Sequence, residues 1–307
     1  MDPIFATAIS VTGLAFGSFL NVCIYRLPRG LSVVHPGSAC PECRQPIRFY
    51  DNIPLLSWIA LGGHCRNCRA AITPRYAIVE VLTAVTFLLC YLHFGLTIAA
   101  LKYCVFGFLL LGLIFTDAET QLLPDKLTLT GLLLGLGFSL AVPVNDLSAQ
   151  LLPAAFSSHL SPEASWRWFS LCDALLGAIV GASFLYGAGA IYLRARGVEG
   201  MGFGDVKLMG MIGAFLGVKL TVFTIFTASL AGSLFGVWTV FAVWTKRTRR
   251  RRMRHGETLP QARERAWKSA RVALQRHQMP FGVFLGGTAI VACFFGQQFL
   301  HWYWSLL

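Results

Sequence analysis

Two groups of residues in this chain have types and spacings that could do chemistry. The first is acidic. Only 14 of the 307 residues are Asp or Glu, so their positions carry information, and five of them fall at the edges of apolar stretches. Asp117, Glu119 and Asp125 lie in Thr116-Asp-Ala-Glu-Thr-Gln-Leu-Leu-Pro-Asp125, and Glu199 and Asp205 lie in Glu199-Gly-Met-Gly-Phe-Gly-Asp205-Val-Lys207. A carboxylate in or beside hydrocarbon is costly and marks a functional site by default. Asp117 and Asp205 are 88 positions apart, yet on different spans at one depth they could face each other across a water molecule. Such a pair shares one proton. Its ionised member draws a proton from water as general base, and its protonated member polarises a peptide carbonyl. Gly202 and Gly204 would permit close backbone approach or a positive φ just before Asp205, helping a substrate strand lie against it. A competing reading stands at this point: membrane-edge carboxylates also pair with Arg or form the proton relay of a transporter.

The second group is a set of four cysteines. Cys40-Pro-Glu-Cys43 and Cys65-Arg-Asn-Cys68 are two C-x-x-C pairs with 21 residues between them, close to the spacing of a four-cysteine zinc site in which each pair forms a tight knuckle. Their segment is poor in apolar residues and needs a staple, which Zn²⁺ supplies as folding energy. His64, beside Cys65, reads as a bystander. Cys23, Cys90, Cys104, Cys172 and Cys293 lie in apolar runs, where packing is the ordinary role.

The elements that must position these groups are membrane helices. The chain is 55% hydrophobic and 13% charged, against about 25% charged in soluble domains. Strongly apolar runs near the roughly 20 residues that span a bilayer occur at about 4–24, 77–94, 96–116, 127–144, 171–193 and 281–304, the third with Lys102 near its outer end. The stretch from 205 to 244 is too long for one span, and Gly213, Gly217 and Lys219 divide it into a short sixth helix, a turn and a seventh. The expected fold is therefore an all-α polytopic membrane protein of about eight transmembrane helices. The first run carries Asp2 and no basic residue before Arg26, so it reads as a retained span rather than a cleaved signal peptide.

Orientation follows from the bases. In an eight-span arrangement 23 of the 26 Lys and Arg fall on one side, and only Lys102, Arg167 and Lys219 fall opposite. The positive-inside rule makes the basic side cytoplasmic and puts both termini outside. The expected organisation is a first transmembrane helix over 1–26, a cytoplasmic Cys-rich subdomain of zinc type over 27–75, and a transmembrane catalytic domain over 76–307. That last part includes an outer loop at 144–170 and a basic cytoplasmic loop at 246–279. Of the net charge of +12, the basic loop accounts for +10, with twelve bases and only Glu257 and Glu264 against them. Nucleic acid is not needed to explain it. The loop could contact anionic membrane lipids or assembly proteins, or be a solvated loop that reinforces topology.

Several motifs, in order, resemble the bacterial type IV prepilin peptidase family of GxGD intramembrane aspartic proteases. They are Gly17-Ser-Phe-Leu-Asn-Val-Cys-Ile-Tyr-Arg-Leu-Pro28, Cys40-Pro-Glu-Cys43, Asn52-Ile-Pro-Leu-Leu-Ser-Trp58, Cys65-Arg-Asn-Cys68 and Pro74-Arg-Tyr-Ala-Ile-Val-Glu80. They continue with Asp117 through Leu-Leu-Pro-Asp125, Glu199-Gly-Met-Gly-Phe-Gly-Asp205-Val-Lys-Leu208 and Pro280-Phe-Gly282. The resemblance implies cleavage of the short basic leader from prepilins or type II secretion pseudopilins at the cytoplasmic face of the inner membrane. The catalytic pair would then be Asp117 and Asp205. It also implies N-methylation of the new N-terminus with S-adenosylmethionine, whose binding residues the spacing does not place. A peptidase without methylation and a proton-coupled transporter are the alternatives. Glu119 stands where many members carry a second Asp, and the basic loop is long for the family. Glu80, Glu119, Asp125, Glu199 and Lys207 are the candidates for substrate contact or support of the pair, with Glu42 a further acidic candidate for the leader.

Overall fold

A computed structural model describes residues 2–144, 162–198, 200, 202–255, 258–276 and 280–306. The helices in chain order are α1 (Pro3–Arg26), α2 (Leu56–Ala60), α3 (Arg75–Phe94), α4 (Ile98–Thr120), α5 (Asp125–Ser139), α6 (Pro162–Arg196), α7 (Phe203–His255), α8 (Leu259–Arg276) and α9 (Phe281–Trp304). Among the described residues no strand forms, and pairing is limited to isolated bridges of Ala39 with Pro46 and His64 with Ala71.

The helix ends follow local chemistry. Asp2 caps α1 by accepting the Ile4 N–H at 2.9 Å, and Thr97 caps α4 by accepting the Ala100 N–H at 3.3 Å, each supplying an acceptor to a first-turn donor. The chain leaves α3 through Gly95 at φ 68 and α4 through Gln121 at φ 54, both positive-φ ends. The long helices are apolar around their whole circumference, as lipid contact requires: Phe226 and Val237 on α7 are each 69% exposed.

Six of the helices, α1, α3, α4, α6, α7 and α9, are long and apolar enough to cross a membrane, which makes this a multi-pass membrane protein. These six do not establish the expected count of eight, which would require two further crossings, with α5 and the two parts of α7 as the candidates. The first is α5, which at 15 residues is shorter than the span expected over 127–144, because Pro143 stands just beyond its end and blocks continuation. The second comes from α7, whose Gly217 has φ 76 and ψ −179. The neighbours of α7 show what happens there. Asp205 lies beside Gly282, at the start of α9. Leu220 packs against Gly296, and the Phe223 ring lies 5.2 Å from that of Phe299, both toward the end of α9. Phe235 is back beside Phe284, with ring centroids 5.5 Å apart. The chain therefore reverses at Gly217, and residues 203–216 and 218–255 are two antiparallel arms, as the glycine pattern predicts.

The core that results joins α4, α5, α7 and α9 through Phe106, Leu110, Leu113, Leu127, Met211, Ile212, Phe215 and Leu285. A smaller cluster of Leu20, Cys23, Ile24, Val79 and Leu111 fastens α1 and α3 to α4. The α1–α3 contact is close at Gly17, where a Cβ would come within 2.6 Å of the Glu80 Cα; small residues permit such backbone approach between membrane helices. Beyond the second arm of α7, α8 folds back on it with Ala262 and Ala266 fully buried, Trp244 Nε1–H donating to the Arg263 carbonyl at 3.1 Å, and Trp244 set edge-on to Trp267. The second half of the basic loop is thus a helix packed on the end of α7.

Candidate active site

Asp117 sits in the last turn of α4 and Asp205 in the first turn of α7. Both are buried, with 5% and 8% of their surface exposed. The structure brings them together at a third element, the start of α9. A Cβ built on Gly282 would lie 2.8 Å from Asp117 Oδ2 and 3.4 Å from Asp205 Oδ1. The two carboxyl groups are therefore within about 6 Å of each other, near enough to interact strongly and to share a water. Val283 N–H donates to Asp117 Oδ2 at 3.2 Å. Asp205 benefits from its place in the first turn of α7, where the exposed N–H groups and the helix dipole favour an acid.

The residues around the pair divide clearly. Glu119, exposed two positions after Asp117, is ion-paired with Arg75 at the start of α3. Asp125, at the start of α5, receives Lys207 Nζ at 2.7 Å, so α5 is tied to α7 beside the pair. Gly204 packs on Leu123, whose Cβ would be 3.0 Å from an added Cβ, whereas Gly202 meets no such crowding. Neither has a positive φ, so close approach accounts for Gly204 and nothing in the geometry restricts Gly202. Glu80 lies in the α1–α3 seam, where its Oε2 accepts the Leu55 N–H at 2.7 Å and so anchors the Cys-rich segment. Beside it, Asn21 Nδ2 donates to the Tyr76 carbonyl at 3.0 Å. Glu199 lies outside the described residues, as does most of the expected outer loop. Type and spacing do not single out Gly282 and Val283 as site residues; Pro280-Phe-Gly282 is visible as a motif, but a backbone N–H and a missing side chain give no chemical signal.

The four cysteines converge as expected. Their sulfurs all lie within 4.8 Å of one another. A tetrahedron of thiolates about 2.3 Å from a central zinc has edges of about 3.8 Å, and Cys40 Sγ and Cys68 Sγ are 3.8 Å apart. The two knuckles repeat one design. Arg44 N–H donates to the Cys40 carbonyl and Arg69 N–H to the Cys65 carbonyl, at 2.9 and 3.0 Å, and both Arg residues have positive φ, 56 and 58. Backbone N–H groups of Cys68 and Asn67 hold the Cys65 thiol down to about 7, toward the thiolate a metal needs. His64 Nδ1 is instead engaged with the Gly62 carbonyl at 2.6 Å, consistent with a bystander. The donor set and its geometry fit a tetrahedral soft-ligand metal. The remaining support is light: Arg66 pairs with Asp51, holding that carboxyl below the usual range, and Trp58 Nε1–H donates to the Ile72 carbonyl at 3.2 Å.

Comparison with known proteins adds the following. Residues 11–94 match the family described as bacterial peptidase A24 N-terminal domain, and residues 103–237 match the type IV leader peptidase family. A prepilin leader peptidase/N-methyltransferase of Pseudomonas aeruginosa is 37% identical over 256 residues, covering 76% of this chain and 80% of that one. Its namesake in Neisseria gonorrhoeae is 34% identical over 256 residues, covering 76% and 81%. In Aeromonas salmonicida a protein of the same name is 29% identical over 329 residues, covering 99% and 95%. No solved structure matches the chain.

Proposed function

Because the chain belongs to the type IV leader peptidase family, we propose that it removes the leader from prepilins or pseudopilins and N-methylates the residue thus exposed. The observation that carries the peptidase reading is the meeting of two buried carboxyl groups from different helices at one point beside Gly282. A water held between them gives its proton to the ionised aspartate as its oxygen attacks the scissile carbonyl carbon, and the protonated aspartate hydrogen-bonds the carbonyl oxygen as charge develops. Collapse of the tetrahedral intermediate breaks the C–N bond, and the amine leaves with a proton returned by the pair.

Asp117 and Asp205 both lie within a turn of a helix end, which suits a substrate that is itself a membrane helix with a charged leader outside the bilayer. The enzyme need only unwind the first turn of that helix, since a helical carbonyl is already hydrogen-bonded. The proposed setting is the bacterial inner membrane, with the dyad, the Cys-rich segment and the basic loop on the cytoplasmic side. Zn²⁺ held by Cys40, Cys43, Cys65 and Cys68 is proposed as a structural ion that orders the segment between α1 and α3. S-adenosylmethionine is the proposed methyl donor, a co-substrate whose sulfonium methyl passes to the free amine.

The test is incubation of the purified protein in detergent with a prepilin peptide, with and without S-adenosylmethionine, both products being weighed. Cleavage, plus a gain of about 14 Da (one CH₂) at the new N-terminus only when the donor is present, is expected. Asp117→Asn and Asp205→Asn leave the peptide uncut while inserting normally into membranes. Retained cleavage in both variants would end the aspartyl assignment. Because detergent sustains no gradient, cleavage there also separates this chemistry from a proton relay.

A further inference from the structure

We infer that the start of α9 is a positioning element for the dyad, in which the Val283 N–H fixes one oxygen of Asp117 and the bare Cα of Gly282 keeps the carboxyl groups close. The inference rests on the peptidase reading above and assigns a role to the Pro280-Phe-Gly282 motif.

The N–H groups of a first helical turn have no partner within the helix, and inside a membrane each must find one elsewhere or cost several kcal/mol. An N-cap side chain normally supplies an acceptor to the third residue of the turn. In α9 the N-cap position is Pro280, and no side-chain cap bond forms there. Val283 is that third residue, and its N–H is accepted by Asp117 Oδ2 at 3.2 Å. Asp117, from α4, thus caps α9 in place of the missing local acceptor. The same bond, with a second backbone N–H contact from Gly282, removes a rotational freedom from the carboxyl group.

Gly282 completes the device. With 2.8 Å to Asp117 Oδ2, 3.1 Å to Asp117 Cγ and 3.4 Å to Asp205 Oδ1, the place a methyl would occupy lies against both aspartates. Its backbone is not in the left-handed region, so steric room between the carboxyl groups, and not backbone conformation, is what requires glycine here. Any side chain would force Asp117 to rotate away from its donor or displace α9 from the pair.

Two variants test this. Val283→Pro deletes the N–H while keeping a residue that first helical turns accept, and Val283→Ala retains the N–H as its control. Gly282→Ala adds the methyl. Expected for Val283→Pro is a kcat for leader cleavage at least tenfold below that of Val283→Ala, with KM within twofold and the detergent-phase unfolding midpoint within 2 °C. Gly282→Ala is expected to lose at least as much kcat with a similar midpoint. If both variants cleave within twofold of the control, the inference is overturned. It is equally overturned if the loss comes with a fallen midpoint or failure to accumulate, because the role is then structural. Cleavage that survives in Asp117→Asn would instead defeat the peptidase reading itself, so the two failures are distinguishable.

Discussion

Removing one thiolate from the four-cysteine cluster, by Cys40→Ser, is expected to unfold the segment between α1 and α3 while sparing the dyad. Between residues 27 and 74 only Cys40 and Gly63 are buried, so this segment has almost no apolar core to offset the ordering cost of about 1–2 kcal/mol per residue. Its remaining supports are small. The Arg66–Asp51 pair, with Arg66 half exposed, is a surface ion pair of little weight, and the Trp58–Ile72 hydrogen bond contributes about 1 kcal/mol. A structural zinc in a site of this kind supplies about 10–16 kcal/mol at neutral pH, roughly an order of magnitude more than those contacts together. On the proposed zinc reading, the metal decides whether the segment folds. Wild-type protein should contain one zinc per chain and resist trypsin at Arg44, Arg48, Arg66 and Arg69; Cys40→Ser, or wild type stripped with a chelator, should be cut there quickly. Leader cleavage should survive, because Asp117, Asp205 and Gly282 lie on α4, α7 and α9. The pH dependence has a defined sign. Metal binding requires thiolates, so protons compete with zinc for the four sulfurs and zinc affinity falls as pH is lowered. A zinc-free purified protein with the same trypsin resistance as the metal-loaded one would refute the reasoning.

Three further outcomes follow from the packing. Gly217→Ala places a methyl at φ 76, ψ −179, a region kept essentially for glycine, at a cost of about 1–3 kcal/mol; a lowered unfolding midpoint with unchanged zinc content is expected, and an unchanged midpoint would remove the turn from the account. Lys207→Met breaks an ion pair whose Asp125 side chain is 58% exposed, so less than about 1 kcal/mol of stability is at stake. A kcat loss of a hundredfold there would show that Lys207 touches substrate. Arg26→Lys should free the chain after α1, because the Arg26 guanidinium binds the Ser32, Pro36 and Gly37 carbonyls together, at 2.9, 2.6 and 3.3 Å, which a single ammonium does not reproduce. Faster proteolysis confined to residues 27–39 is the expected readout.

What could be read from the sequence was whatever side chains announce. The zinc-type cluster was legible because each knuckle closes within six residues, from Cys40 to Gln45 and from Cys65 to Ala70, so spacing alone nearly determines its shape. Asp117 and Asp205 were legible for the opposite reason, as acids in a chain that has few. The reversal within α7 was signalled by Gly217, whereas α5 was overestimated because apolarity continues past Ser139 after the helix has stopped ahead of Pro143. Hidden from sequence were contacts made by backbone: the Leu55 N–H that holds Glu80 and the Val283 N–H that holds Asp117. Arg75 and Glu119 were visible only as unmatched charges, 44 positions apart, until the fold paired α3 with α4.

The depth of the site is itself a consequence of hydrogen bonding in lipid. Along the body of a membrane helix every N–H is committed to a carbonyl four residues back, and none remains to orient a carboxylate. Free donors exist only in first turns, so a dyad that uses a backbone donor must sit where a helix begins. Asp117 lies four residues before the positive-φ exit of α4, Asp205 lies in the first turn of α7, and Val283 lies in the first turn of α9. Three helix ends thus meet at one place, which under the proposed function is where a helical substrate also begins and is most easily unwound. The same constraint explains how Pro280 can serve as the entry to α9: a proline offers no side-chain acceptor for the turn that follows, and Asp117 fills that role from the neighbouring helix. A mutation that gave α9 its own cap, Pro280→Asp, should compete with Asp117 for the Val283 N–H. It should slow cleavage without loss of stability, and an unaltered kcat would show that the carboxylate holds its place without that bond.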